Sequence, residues 1–124
     1  EKKSMNKVLL TGNLVKDIDV KTIGKTVVAN FVIANNRGFG ENKKTSFIRC
    51  ALFGESRVEA LEKYLVTGVG VIIEGELDVV SKEVEEGEYI TFTSVIVDKI
   101  EITKYKNNDD EQEEKPKYKK KGRK

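Results

Sequence analysis

Residues 45–54, TSFIRCALFG, alternate between two kinds of side chain. Small or branched apolar residues occupy every second position, namely Ile48, Cys50 and Leu52. Because successive side chains of a β-strand point to opposite faces, this spacing predicts a strand with one face packed in a core. The intervening positions place Phe47, Arg49, Ala51 and Phe53 together on the other face.

Two aromatic rings with a guanidinium between them are unusual on one strand face. Nucleobases stack on aromatic rings and phosphates bind a positive charge, so Phe47, Arg49 and Phe53 indicate a surface for single-stranded nucleic acid. The alternative is structural, because a phenylalanine on a strand more often belongs to the core. Periodicity alone does not decide between the two interpretations of these phenylalanines.

The order of the other patterns predicts the fold. Strand-like runs are spaced around one helical pattern in the order 7–14, 27–34, 45–54, helix, 71–80 and 89–97. Residues 23–25 interrupt the first two runs as a turn, and residues 85–88 separate the last two. Three strands, one helix and two strands are the order of an all-β OB-fold, a five-stranded Greek-key barrel with its helix between strands 3 and 4.

Local signals place the helix and two irregularities. Ser56 and Glu59 have the spacing of a capping box. Apolar residues at positions 58, 61 and 65 then predict about three turns of helix, ended by Gly68. Gly12 and Gly75, each inside a strand-like run, predict a bulge or a bend.

Composition limits the chemistry. The chain of 124 residues contains no His and one Cys, so common zinc sites, Ser-His-acid triads and Cys-His pairs cannot be assembled. We expect neither an enzyme nor a cofactor nor a bound metal. No run of residues is long and apolar enough to span a membrane and no signal peptide is evident, so we expect no membrane partner and a cytoplasmic protein.

Charge is distributed unevenly along the chain. Of 23 basic and 21 acidic residues, seven and five lie in residues 107–124, which leaves 16 of each in residues 1–106. The body is therefore neutral, and binding of an anion must depend on local clusters. One such cluster lies in residues 35–44, which we predict to be a loop. It holds Phe39 and three basic residues: Arg37, Lys43 and Lys44. We interpret it as a hairpin that wraps a nucleic-acid strand, with a solvated tip as the alternative.

Both ends of the chain lie outside the predicted domain. Residues 1–4 precede Met5, and we expect them to be a remnant of cloning, although they could be native. The OB-fold domain is predicted over residues 5–106. Residues 107–124 combine low hydrophobicity with an acidic block and a basic end, which predicts disorder. The basic end could bind phosphates or simply be solvated.

Five blocks of sequence, in order and in register, resemble bacterial-type single-stranded DNA-binding proteins. They are residues 5–14, 28–34, 47–54, 64–68 and 73–77, and the likeness runs from about residue 5 to residue 104. A single block such as VLLTGNL would be weak, whereas five at these separations are specific.

The resemblance implies roles for individual residues. Aromatic residues that stack on bases in the family match Phe47 and Phe53, and a family arginine matches Arg49. A third family aromatic has no direct match, but Phe39 lies nearby. The fourth family aromatic falls at Lys82, which has no ring. Because its side chain is positively charged, Lys82 remains a candidate DNA contact.

The resemblance also implies an assembly and a biological role. It implies a homotetramer that coats single-stranded DNA during replication, recombination and repair, with replication or recombination proteins as further partners. The family's acidic tip with Pro and Phe is absent here, since the chain ends KPKYKKKGRK. That departure suggests a phage, plasmid or accessory version, located in the bacterial cell or nucleoid, or in host cytoplasm if phage-encoded. The alternatives are a replication adaptor that acts through protein contacts, or an RNA-binding barrel.

Overall fold

A computed structural model describes residues 3–105 of the chain. Its elements are β1 (Val8–Leu14), β2 (Asp19–Ile23), β3 (Thr26–Arg37), a 3₁₀ turn (Gly40–Asn42), β4 (Lys44–Phe53), α1 (Glu55–Leu61), β5 (Gly70–Glu85) and β6 (Glu88–Lys104). The predicted tail, residues 107–124, lies outside the described residues. Within residues 3–105, no helix is long and apolar enough to cross a membrane.

Five strands close into a barrel. Hydrogen-bonded neighbours run in the order β1, β5, β6, β4 and β3, and β3 returns to β1 through Asn13–Ala34 and Leu14–Ile33. The β4–β6 pair is parallel and short, and the other pairs are antiparallel. The helix α1 follows β4, which is the fourth strand of the chain but, since β2 is outside the ring, the third of the five strands that close it. The predicted OB-fold is therefore confirmed.

The additional strand β2 was not predicted as a strand. It pairs only with β3, from Asp19–Asn30 to Ile23–Thr26, and so flanks the barrel without being part of its closure. Residues 19–23 carry two charges and only two apolar side chains, and four of the five are exposed. A strand that buries so little leaves almost no hydrophobic periodicity to detect.

Apolar side chains from every strand of the ring, and from the segment around α1, fill the barrel. The buried cluster consists of Leu14, Ala29, Phe31, Ile33, Cys50, Leu52, Val58, Leu65, Val69, Val71, Ile73, Val95 and Val97. Burial raises the pKa of the Cys50 thiol to about 12, because the thiolate would lose its hydration inside the barrel. Cys50 is thus a small apolar packing residue.

Two predictions about the helix were wrong. The helix begins at Glu55 after Gly54, and no side-chain cap is formed, so Ser56 does not begin a capping box. The helix also ends at Leu61, after two turns and not three. Leu65 is nevertheless fully buried, because the turn that follows Leu61 carries it back into the core. The apolar spacing was correct for burial but not for helix length.

The two strand glycines behave differently from each other. Gly75 lies at a register shift between β5 and β6, as predicted. Gly12 forms no bulge, since β1 pairs with β5 without interruption from Val8 to Asn13. A Cβ on Gly12 would lie 2.7 Å from the carbonyl oxygen of Ala34, so the glycine permits the close approach of β3 where β1 changes neighbours.

Candidate nucleic-acid interface

The alternation predicted for residues 45–54 is present in β4. Cys50 and Leu52 face the core, while Phe47 is 67% exposed and Phe53 is 41% exposed. Arg49, between the two rings, is also exposed. We call Phe47, Arg49, Ala51 and Phe53 the outer face of β4.

Register with the neighbouring strands places side chains of β3 and β6 beside this face. Opposite the outer face of β4 lie Ala34, Val32 and Asn30 of β3, paired with Phe47, Arg49 and Ala51 in that order. On the other side, Ala51 pairs with Ile96 of β6. Phe53 pairs with the buried Val28 and is the less exposed of the two rings, whereas Phe47 pairs with Ala34 and is the more exposed. Both rings are accessible to solvent.

The predicted loop 35–44 is strand at its two ends, in residues 35–37 and at residue 44. The β3–β4 ladder continues through Asn35–Ser46 and Asn36–Thr45 to Arg37–Lys44, and only residues 38–43 connect the strands. Side chains reinforce the ladder, because Asn36 Oδ1 accepts a hydrogen bond from Thr45 Oγ1 at 2.6 Å. We call residues 37–44 the basic hairpin. The loop prediction therefore holds for residues 38–43, whereas backbone pairing makes strand of residues 35–37 and 44.

Phe39, in the connection of the basic hairpin, is 85% exposed, and Lys43 follows the 3₁₀ turn. Gly38 begins this connection at φ +78°, and a Cβ there would lie 2.5 Å from the carbonyl oxygen of Asn42. Glycine is therefore needed for the tight turn that displays Phe39.

Strand parity separates the basic residues into two groups. Arg49 lies on the outer face of β4 with the rings. Arg37 and Lys44 are paired with each other on the opposite face of the β3–β4 ladder, and Arg37 Nη2 donates a hydrogen bond to Ser46 Oγ at 2.7 Å. A bound strand can contact both groups only if it passes around the basic hairpin.

Positive charge in this region is not neutralised internally. The ion pairs found within residues 3–105 are Lys7–Glu74 and Lys21–Asp19, neither of which involves a predicted site residue. Arg37 and Lys44 are like charges placed directly opposite each other, an arrangement that disfavours the folded state. A bound anion would relieve that repulsion.

Lys82 lies on a different part of the molecule. Residues 78–94, here called the β5–β6 arm, pair only with each other and extend beyond the barrel. The Nζ atom of Lys82 lies 5.7 Å from the centroid of the Phe92 ring. The structure therefore supplies a ring beside Lys82, although the sequence pattern at that position had none.

Sequence reasoning missed two residues near the outer face. Phe92 lies in a strand that was predicted, but nothing in the sequence shows which face of that strand continues the outer face of β4. The sequence pattern gave Arg57 no role. Its guanidinium instead donates hydrogen bonds to the backbone carbonyls of Phe53, Val97 and Asp98, which ties α1 to the end of β4 and to the interior of β6.

The fold agrees with comparisons to known proteins. A model of the single-strand binding protein family matches residues 5–103. This chain belongs to that family. Single-stranded DNA-binding protein 1 of Staphylococcus aureus is 33% identical over 115 residues, which span 89% of this chain and 72% of the relative. The single-stranded DNA-binding protein of Oceanobacillus iheyensis is 31% identical over 108 residues, or 84% of this chain and 66% of that protein.

A solved structure of a family protein has the same fold. The Plasmodium falciparum SSB in complex with single-stranded DNA superposes with a TM-score of 0.74 at 24% identity, covering 82% of this chain and 97% of the other. At that identity the match supports the barrel. The contacts of this chain must be argued from its own side chains.

Proposed function

We propose that this protein binds single-stranded DNA without reading its sequence and protects it during replication, recombination and repair. The observation that carries the proposal is the outer face of β4, where Phe47 and Phe53 are exposed on either side of Arg49. A base has an aromatic face whatever its identity, so stacking on these rings requires no particular sequence. The activity is binding alone, with no chemical step.

The expected affinity follows from rings and charges. Each stacked base contributes about 1 to 3 kcal/mol, so the two rings together contribute about 2 to 6 kcal/mol. We assign phosphate contacts to five basic residues. Arg49 lies on the outer face of β4, Lys82 lies on the arm, and three belong to the basic hairpin: Arg37, Lys43 and Lys44. For a single strand, each contact contributes about −0.7 to the slope of log K against log salt concentration. Five contacts would give a slope of about −3.5 for each subunit.

Phe39 is proposed as a third contact. Its ring is nearly fully exposed at the end of the basic hairpin, and such a ring gains by covering its surface with a base. In this proposal, a DNA strand leaves the outer face of β4 at Phe47 and passes Phe39 before it reaches the basic residues on the other side of the hairpin.

We further propose that the protein acts as a homotetramer in the cytoplasm. Large apolar side chains remain exposed on strands away from the outer face of β4, including Leu9 at 66% and Val79 at 56%. Association of copies would bury such side chains and supply a longer surface for DNA than one barrel offers. Replication or recombination proteins are proposed as further partners. Sedimentation-velocity measurement of mass tests the tetramer; a monomer at micromolar concentration would contradict it.

The first test is a titration of fluorescently labelled oligo-dT of about 35 nucleotides, followed by anisotropy at low and moderate salt. We expect tight, salt-sensitive binding to the single strand and little binding to a duplex of equal length. The double variant Phe47→Ala, Phe53→Ala should bind about 30-fold to 10⁴-fold more weakly, as calculated from the stacking energies.

A matched control replaces Tyr64 and Ile23, two exposed apolar residues outside the outer face of β4, with Ala. That variant should bind as the parent does. Equal affinity for single strand and duplex, from protein with the circular dichroism of a folded barrel, would contradict the proposed function.

A further inference from the structure

Phe92 is an exposed aromatic residue on the β5–β6 arm. The ring is 38% exposed, and Phe92 pairs across the arm with Val80, while the next pair on the same face is Lys82 and Ile90. The Lys82 ammonium lies over the Phe92 ring at 5.7 Å. The arm thus carries a cation and a ring in contact, accessible to solvent.

The register of the barrel places this ring on the same side of the sheet as the outer face of β4. Ile96 pairs with Ala51, which belongs to that face, and Phe92 lies two alternations before Ile96 on the same strand face. Because β4 and β6 run parallel, Phe47 and Phe92 each precede the Ala51–Ile96 pair by four residues. The two rings therefore lie on the same side of the sheet, each four residues before the last β4–β6 pair, on strands that separate toward the basic hairpin and the arm.

We propose that Phe92 is a base-stacking platform and that Lys82 is its phosphate contact. This proposal rests on the function proposed above and assigns it a residue of the arm. A lysine above an exposed ring is held weakly compared with a stacked base. An arriving base can displace the ammonium from the ring, and the flexible lysine side chain then reaches the phosphate of the same nucleotide.

Charge at the end of the arm limits the path of the strand. Beyond Lys82 the chain carries four carboxylates within six residues, at Glu83, Glu85, Glu86 and Glu88. The backbone N–H of Gly87 donates a hydrogen bond to Glu83 Oε2, so this carboxylate is held at the turn. Phosphates are repelled from that end, and the strand is expected to turn back at Phe92 toward the barrel.

Single tryptophans test the proposal directly, because the natural chain contains no Trp. We would prepare three variants, Phe92→Trp, Phe47→Trp and Tyr89→Trp, and titrate each with oligo-dT of about 35 nucleotides. Stacked thymines quench indole fluorescence. Tyr89 is the matched control, because it is 66% exposed on the same arm but lies on the opposite strand face, in register with Glu83.

The expected result is strong quenching at positions 92 and 47 and little at position 89. Quenching at position 47 without quenching at position 92 would overturn the role of Phe92 while leaving the proposed function intact. Absence of binding by all three variants and by the parent protein would overturn the proposed function itself. Equal quenching at positions 92 and 89 would also overturn this proposal, since it would show that the DNA does not distinguish the two faces of the arm.

Affinity gives a second measurement. Phe92→Ala and Phe92→Leu should each bind oligo-dT about 5-fold to 150-fold more weakly, which is the range for one stacked base. Phe92→Leu keeps an apolar side chain on the arm and removes the ring, so it separates the loss of the ring from the loss of apolar contacts. Tyr89→Ala should bind within twofold of the parent. Unchanged affinity of Phe92→Leu would overturn the proposal.

Discussion

Arg57 is predicted to be the most important exposed charge for stability in the described part of the chain. Its guanidinium makes four donor contacts to three backbone carbonyls: two to Phe53 at 3.2 and 3.0 Å, one to Val97 at 3.2 Å, and one to Asp98. The Phe53 carbonyl ends β4, whereas Val97 and Asp98 lie inside β6, so one side chain joins residues up to 41 apart in sequence.

The magnitude for Arg57→Ala follows from those contacts. A charged donor contributes about 1.5 to 3 kcal/mol when buried, but this side chain is exposed and water can replace it at most of the carbonyls. We therefore expect the free energy of unfolding to fall by about 1 to 3 kcal/mol. For a domain of this size, that loss lowers Tm by about 5 to 15 °C.

Thermal unfolding followed by circular dichroism measures this loss, with Arg37→Ala as the matched control. Arg37 makes one side-chain hydrogen bond, to Ser46, on the basic hairpin, and its replacement should change the free energy of unfolding by less than about 0.5 kcal/mol. Arg57→Lys should recover only part of the stability, because an ammonium cannot span three carbonyls as the planar guanidinium does. Equal Tm values for Arg57→Ala and the parent would refute the assignment of Arg57 as a link between β4 and β6.

Three further predictions follow from the packing and the charges. Gly75→Ala should lower the free energy of unfolding by about 1 to 3 kcal/mol, because its Cβ would lie 2.1 Å from the carbonyl oxygen of Ile96. The control Gly24→Ala meets open space at φ +63° and should lower it by about 1 kcal/mol. Urea unfolding measures both losses, and equal losses would contradict the steric argument. Cys50 should resist thiol reagents at neutral pH until the protein unfolds, and rapid labelling of the native protein would disprove its burial. Because its pKa is raised in the folded protein, only the unfolded thiol ionises as the pH rises above 9.0, and the free energy of unfolding should fall there. Replacing the four glutamates of residues 83–88 with glutamine should raise affinity for oligo-dT at low salt and leave it unchanged at high salt, and an effect that persists at high salt would exclude electrostatic repulsion as the cause.

The sequence was sufficient for the barrel and for the division of β4 into two faces. Alternation is a local property: Ile48, Cys50 and Leu52 fall on one side of a strand whatever surrounds it, so burial of that side exposes Phe47 and Phe53. The number of strands in the closed ring and the position of the helix followed from the order of apolar runs.

Local patterns were misleading where tertiary contacts outweigh them. Residues 35–37 are too polar to indicate a strand, yet pairing with β4 makes them one. Ser56 and Glu59 have the spacing of a cap, yet the turn at Gly54 starts the helix before Ser56 can act. The arm was likewise predicted too short, because polar residues near its turn give no hydrophobic signal while the β5–β6 ladder continues to Glu85–Glu88.

By itself, the sequence determined which side chains of each strand are paired on a face, because that depends only on the twofold repeat of the extended backbone. Only the tertiary structure decided which face of one strand continues a face of another, because register between strands is fixed by closure of the whole barrel. The Ala51–Ile96 pair puts Phe92 on the same side of the sheet as Phe47. The Arg37–Lys44 pair puts two basic side chains on the opposite side. No pattern within a single strand contains that information.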